Sequence, residues 1–497
     1  MRLINTHTLE VISKSDNDIP PYAILSHTWG RDNEEATLQD MLVLFEAAKN
    51  DPAVLSTHPI ARKPGFIKIQ QTAKLAASEN RDFMWVDTCC IDKTSSAELS
   101  EAINSMFRWY QQAEVCYAFL SDIEDSDLED SADDDQITQS RWFTRGWTLQ
   151  ELIAPPVVHF YSKNWRFLGR KRPASRSTVP IPSPSGKEPD SPLVSDPDFL
   201  SIIERATSID KDLLDGSLDL NEFGVAMRMK WASRRQTTRV EDRAYSLMGL
   251  FGVNIPLLYG EGTNAFIRLQ EAILLTTDDQ SIFAWKCPTG EGGDKLSGLL
   301  ANDPRFFQYS GHVKPLPSNT ITSSTPLGIT SAGLRVAIAL FKLSDVAPRQ
   351  FSASVDSDNL FAGVLDCSPY FWVDGDEGSI CKPAVVLLWL GGDQFARFNA
   401  STLIHVNATG LQHIDVNSYK EVYVKQNPAT LSLPEIYLND QKLVASTHRE
   451  YVIVDVWLPQ GRWDESTRTV RCKTTSNSGI MCIFRYSLRH RNFQDKH

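Results

Sequence analysis

Before residue 170 the chain alternates short, almost wholly apolar runs with longer segments of helical period. The apolar runs are YAILS (22–26), FMWVD (83–87), VCYAFLS (115–121) and VVHFYS (157–162), each short enough for one strand. Between the first two, residues 66–79 read as a helix. Another helix is predicted to open at Ser95, where Ser95 and Glu98 have capping-box spacing and Leu99, Ile103, Met106, Phe107 and Tyr110 share one face. Strands apolar on both sides and separated by helices predict an α/β fold, a parallel sheet with flanking helices. Ligands of such sheets sit beyond the carboxyl ends of the strands.

The pattern changes twice further on. Residues 171–197 hold seven prolines and six serines and almost no large apolar side chain. Such a segment cannot bury enough surface to offset the entropy of ordering it, which predicts a disordered insertion. Through about 276 the period is again helical; Thr238 and Glu241 are placed to cap a helix carrying Val240, Ala244, Leu247, Met248 and Phe251, with Gly252 to end it. From about 288 the period becomes two. Leu334, Val336, Ile338 and Leu340 share one parity, as do Val452, Val454, Val456 and Leu458. The expected organisation is therefore an α/β unit over 1–170, the insertion 171–197, a helical continuation over 198–286, and a mainly antiparallel, sandwich-like β domain over 287–497.

Composition adds limits. The net charge is −12, but DIEDSDLEDSADDD (122–135) carries nine acids and no base, so the remainder is close to neutral. The acidity belongs to one loop. No basic, aromatic-laced surface for nucleic acid is indicated. The densest apolar run, AVVLLWL (384–390), is too short to span a bilayer and suits a buried strand. With no apolar leader at the start, an intracellular, cytoplasmic protein is expected. Its eight cysteines are too scattered for a disulfide framework, and without a CxxC pair no metal site is expected.

Residues capable of chemistry collect where strands end. SHTWG supplies Ser26, His27, Trp29 and Gly30, a polar turn able either to hold a phosphate or ribose or simply to cap itself. WVDTCCID supplies Asp87, Cys89 and Asp92. Asp87 could bind a sugar hydroxyl; Cys89 could be a nucleophile only beside a base that lowers its pKa, and is otherwise a small packing residue. In RGWTLQEL (145–152), Trp147 can face the sheet while Arg145 and Glu151 project outward. Glu151 reads either as an arginine partner or as a carboxylate in a partly apolar pocket, the setting of catalytic acids.

Three motifs in order, YAILSHTWG (22–30), FMWVDTCCIDK (83–93) and RGWTLQE (145–151), resemble the heterokaryon-incompatibility (HET) domain of filamentous fungi, and the segments 229–274 and DDQSIFAW (278–285) are similar to the regions downstream of that domain in such proteins. The resemblance implies an effector of fungal non-self recognition that triggers programmed cell death, with self-association and a protein partner or allelic incompatibility factor. More distantly, WTLQEL followed by VVHFY is similar to the glutamate helix and next strand of Toll/interleukin-receptor (TIR) domains, innate-immunity modules of flavodoxin-like architecture. That likeness places Glu151 on the glutamate required to cleave the nicotinamide–ribose bond of NAD, and Trp147 on its tryptophan. It implies NAD as a substrate rather than a bound cofactor, held by Ser26, His27, Trp29, Asp87, Glu151 and Arg145. It equally allows a non-enzymatic signalling module that works by homotypic assembly.

Overall fold

The computed structural model describes residues 1–428 apart from 126–133, 174–195, 317–325, 347–358, 409–418 and a few shorter gaps; beyond 428 it describes only the backbone of four strands. The proline-rich stretch therefore falls almost wholly outside the described residues, as does Leu458.

The N-terminal unit is built on seven strands: β1 (Arg2–Asn5), β2 (Val11–Ser13), β3 (Ala23–His27), β4 (Phe83–Trp85), β5 (Val115–Phe119), β6 (Val158–Tyr161) and β7 (Phe167–Lys171). They lie in the order β2-β1-β4-β3-β5-β6-β7. The four apolar runs form the parallel centre, β4-β3-β5-β6. Counted along the chain these are second, first, third and fourth, the flavodoxin-type order, whose switch point falls between β3 and β5. Every residue of β3, β5 and β6 is buried, as a strand covered on both faces requires. The edges are antiparallel additions that the four apolar runs did not announce: β1 and β2 form a hairpin against β4, and β7 turns back on β6.

Helices Leu38–Ala48, Pro64–Ser78 and Ser96–Gln112 flank the sheet. The first went unanticipated, although Thr37 and Asp40 form a complete capping box at its start. In Ser96–Gln112 only half of the expected box forms. The Ser95 hydroxyl accepts the Glu98 N–H, but the Glu98 carboxylate turns to the Asp92 N–H and the Arg2 guanidinium, tying β1 to the helix. The helix expected over 240–251 is two single turns, Asp242–Tyr245 and Met248–Phe251. At the start of the first turn the Glu241 carboxylate accepts the N–H groups of Gly260 and Gly262 rather than capping. Gly252 does end the second turn, at φ 64°, where a side chain would be strained.

The C-terminal part is mainly antiparallel, as expected, but it closes on itself instead of forming a sandwich. β8 (Gly328–Thr330), β9 (Gly333–Lys342), β10 (Leu360–Val364), β11 (Tyr370–Asp374), β12 (Glu377–Gly391), β13 (Gln394–Arg397), β14 (Ile404–Asn407) and β15 (Tyr419–Val424) make one sheet. In it β9 pairs with β10 and β15, and the circuit β9-β10-β12-β13-β15 returns to β9. Alternation specifies which side chains point together, not whether the sheet closes. The long β12 carries both cores: Val385 and Leu387 join the core shared with the N-terminal unit, while Ala384, Val386 and Leu388 belong to a second cluster.

The two parts are joined by a buried cation. Arg397, fully buried on β13, donates to the carbonyls of Phe283 (3.2 Å) and Trp285 (2.5 Å) and stacks over the Trp285 ring at 3.8 Å. Among the described residues no helix is long and apolar enough to cross a membrane.

Candidate functional site

The carboxyl end of β3 carries Ser26 and His27, and each organises a separate buried polar group. Ser26 is wholly buried. Its hydroxyl donates to Glu151 Oε2 at 2.5 Å and accepts the Trp142 indole N–H at 2.8 Å. Glu151 lies on the short helix Thr148–Ile153 and is 7% exposed. Burial pushes its carboxyl up to about 8, and nearby Asp87 adds to this, while hydrogen bonds from Ser26 and Tyr110 and the charge of Arg145 work the other way. At neutral pH this glutamate keeps its proton. Buried Arg235, close enough to Glu151 to stabilise its ionised form, donates to the Arg145 carbonyl and the Thr148 hydroxyl, each at 2.9 Å.

The helix bearing Glu151 is held at both ends by other parts of the chain. At its start the Arg-Gly-Trp turn pairs with a segment far downstream: Gly146 N–H donates to the Gln236 carbonyl (2.8 Å) and Gln236 N–H to that of Thr144 (2.7 Å). The approach is so close that a Cβ on Gly146 would stand 2.4 Å from Thr237 Cγ2, which is why the turn needs glycine. At its end Lys171, buried on β7, donates to the carbonyls of Leu152 (2.9 Å), Ile153 (3.1 Å) and Pro155 (2.7 Å). Burial lowers the Lys171 pKa to about 7, and its N–H groups satisfy carbonyls at the end of the helix that have no partner within it.

His27 organises the second group. Its ring sits between two carboxylates, Nδ1 3.9 Å from Asp87 and Nε2 3.8 Å from Glu35, with no hydrogen bond at either nitrogen. Burial, then the Lys68 charge, depresses its pKa, so the ring is neutral. Burial opposes the Glu35 charge as well, but the facing His27 ring, the Lys68 ammonium at 3.1 Å and the Gly30 N–H at 2.8 Å hold that carboxyl well below the usual range. Asp87 accepts the Trp29 indole N–H at 2.7 Å, and Lys93 lies 3.5 Å above the Trp29 ring. Trp29 is 40% exposed, a half-open aromatic face under a cation.

Beside these groups, at the switch point between β3 and β5, opens a cleft of ≈510 Å³ whose walls include Thr28, Glu35, Lys68, Ser121, Arg141 and Trp165. The Thr28 hydroxyl pairs with the Ser121 hydroxyl and accepts from the Arg141 guanidinium, each at 3.2 Å. Glu151 does not line this cleft.

The structure thus brings Ser26 and Glu151 into contact, with Arg145 and Asp87 near enough to shift the Glu151 carboxyl, and it gathers His27, Trp29, Gly30 and Asp87 on the Glu35–Lys68 pair. Three other candidates stand apart. Cys89 is buried in the turn Asp87–Cys90, and its hydrogen bond with Cys90, together with burial, raises its thiol well above the ordinary value, so no thiolate nucleophile is available. Asp92 binds Gln39 and Thr94. Trp147 is half-buried and hydrogen-bonds Asp242, whereas it is Trp142, five residues earlier, that meets the sheet. Sequence reasoning missed Trp142, Glu35, Lys68 and Arg235; only the three tryptophans Trp142, Trp147 and Trp165 so close in sequence hinted that more than one could serve.

The sheet order defines a doubly wound α/β fold with buried polar groups at its switch point. Residues 22–131 match the family described as heterokaryon incompatibility protein (HET), and 264–295 match a domain of unknown function (DUF8212). The first stretch, which holds β3, β4 and β5, is accordingly similar to the HET domain. Over 292 residues, 58% of its length, it is 43% identical to "Vegetative incompatibility protein HET-E-1" of Podospora anserina, and the match spans only 17% of that protein. No solved structure matches the chain.

Proposed function

We propose that this protein acts in fungal vegetative incompatibility and that its HET region is the effector, cleaving the nicotinamide–ribose bond of NAD. The role rests on the likeness to an incompatibility protein. The observation that carries the chemistry is the Ser26–Glu151 pair, a buried carboxylic acid with a raised pKa at the carboxyl end of a central parallel strand. The Arg141–Thr28–Ser121 wall of the neighbouring cleft suits a diphosphate, and the Trp29 face suits a base or nicotinamide ring.

In this reading the C1′–N bond breaks with its electron pair leaving on neutral nicotinamide, and the oxocarbenium-like ribose is met by water, which finally releases a proton. Glu151 contributes only as the anion, stabilising the developing positive charge. The cationic substrate itself promotes that ionisation, since a positive ring beside the carboxyl offsets the burial that keeps it protonated. Nicotinamide release should therefore climb as pH approaches about 8.

A second reading has one observation in its favour: Glu151 is covered and already hydrogen-bonded, as expected of a structural acid in a non-enzymatic assembly module. The deciding experiment is nicotinamide release by the concentrated full-length chain, wild type beside Glu151→Gln, with circular dichroism on both. Release by the wild type alone supports hydrolysis. A folded wild type that releases none moves the function to assembly, and measurement of its oligomeric state comes next.

A further inference from the structure

Where the helical segment meets the barrel, four basic side chains gather. Lys230 comes from the helix Val225–Ala232, Lys286 lies just after the 3-10 turn Gln280–Phe283, His312 lies beyond the turn Pro304–Phe307, and His405 is on β14. The imidazole centroids of His312 and His405 are 6.3 Å apart. Tyr370 bridges them: its ring is 4.6 Å from His312, and its hydroxyl lies 2.6 Å from His405 Nδ1. Trp372 is stacked flat on His405, centroids 3.5 Å apart and planes within 8°. Gly311 leaves room for the lysine, because a Cβ there would stand 2.9 Å from Lys230 Nζ.

Among the described residues the groups lack an acidic partner. His312 donates to the Tyr309 carbonyl, and its Nε2 is buried with no hydrogen-bond partner. In the tautomer where the Tyr370 hydroxyl donates to Nδ1, His405 carries its proton on Nε2 and offers it to the site. Among the described residues no carboxylate pairs with either imidazole or either ammonium. Burial first, then Lys286 and Lys230, holds His312 below the ordinary histidine value; burial, Lys286 and His312 depress His405 to about 3. Like charges crowded into a half-buried site are costly unless a counter-charge shares it.

We propose that Lys230, Lys286, His312 and His405 form a binding site for a phosphate-class oxyanion, at the junction of the helical segment and the barrel. Two ammonium groups and one imidazole N–H supply charge-assisted donors, and the open His312 Nε2 takes up a proton to supply another. Neither the HET-region cleft nor Glu151 takes part, so the inference stands independently of the hydrolase reading.

The test is calorimetric titration of the full chain in phosphate-free buffer, with inorganic phosphate in one arm and phenyl phosphate in the other, each repeated in two buffers of different ionisation enthalpy. Saturable binding with proton uptake is expected, and it should weaken by about tenfold or more in a Lys230→Met/Lys286→Met double variant. The stronger arm tells whether the source is a free ion or a phosphate ester. Absence of heat or thermal stabilisation from millimolar phosphate in folded wild type overturns the site, as does undiminished binding in the folded double variant. If that variant does not fold, His312→Gln serves in its place: proton uptake must disappear, and its persistence sinks the assignment.

Discussion

Replacing Glu151 by glutamine tests the physical core of the candidate site without assuming any activity. An ordinary glutamate ionises near 4.5, and this one near about 8. The folded state thus holds the proton more tightly than the unfolded chain, so the stability it confers is complete below about pH 4.5, falls as pH rises, and is lost by about 8. At about 1.4 kcal/mol per tenfold change in proton affinity, burying Glu151 costs about 1 kcal/mol at pH 5 and about 3 kcal/mol at pH 7. Glutamine has the same shape, accepts the Ser26 hydroxyl equally well and never ionises. Glu151→Gln should therefore gain about 2 to 2.5 kcal/mol on the wild type between pH 5 and pH 7. Urea unfolding of both proteins at the two pH values, monitored by tryptophan fluorescence, measures the difference directly, and titrations elsewhere cancel. A gap between the variants that does not change with pH would mean that Glu151 titrates like a solvated carboxylate, and the argument for a buried acid would be wrong.

Further tests concern the supports of that acid. Gly146→Ala should cost about 1–3 kcal/mol by overpacking against Thr237, and Thr237→Ser, which removes the Cγ2 it meets, should restore most of the loss in thermal melts. Lys171→Met strands three carbonyls, two of them buried, and should destabilise the chain by about 3 kcal/mol, with amide exchange rising first over 148–156. Arg397→Ala should cost about 3–5 kcal/mol and expose the junction at 283–287 to limited proteolysis; an unchanged cleavage pattern would deny Arg397 its joining role.

How far the sequence foretold these features depends on the range of the forces that made them. The central strands were legible because burial on both faces writes itself into consecutive residues, as in VCYAF. β1, β2 and β7 were not, since short antiparallel edges are decided by the neighbour they join, here β4 and β6. For the C-terminal sheet the parity of Leu334, Val336 and Ile338 was read correctly, while closure depends on the β9–β10 pairing, which leaves no local mark. At the site, the grouping of Ser26 with Glu151 could be inferred from strand order. Choosing Trp142 over Trp147 required the path of the turn at 145, fixed by Gln236. Glu35, Lys68 and Arg235 were invisible for the same reason: each acts through a partner in another element.

The pairing of the Arg-Gly-Trp turn with Gln236 bears on what can be moved from one protein to another. A transplanted segment ending at 131, or even at the close of β7, would carry the glutamate helix without the strand-like segment it leans on and without the Arg235 guanidinium beneath it. The smallest portable unit therefore runs through Thr237, and a cut anywhere between β7 and that residue divides one packed unit in two.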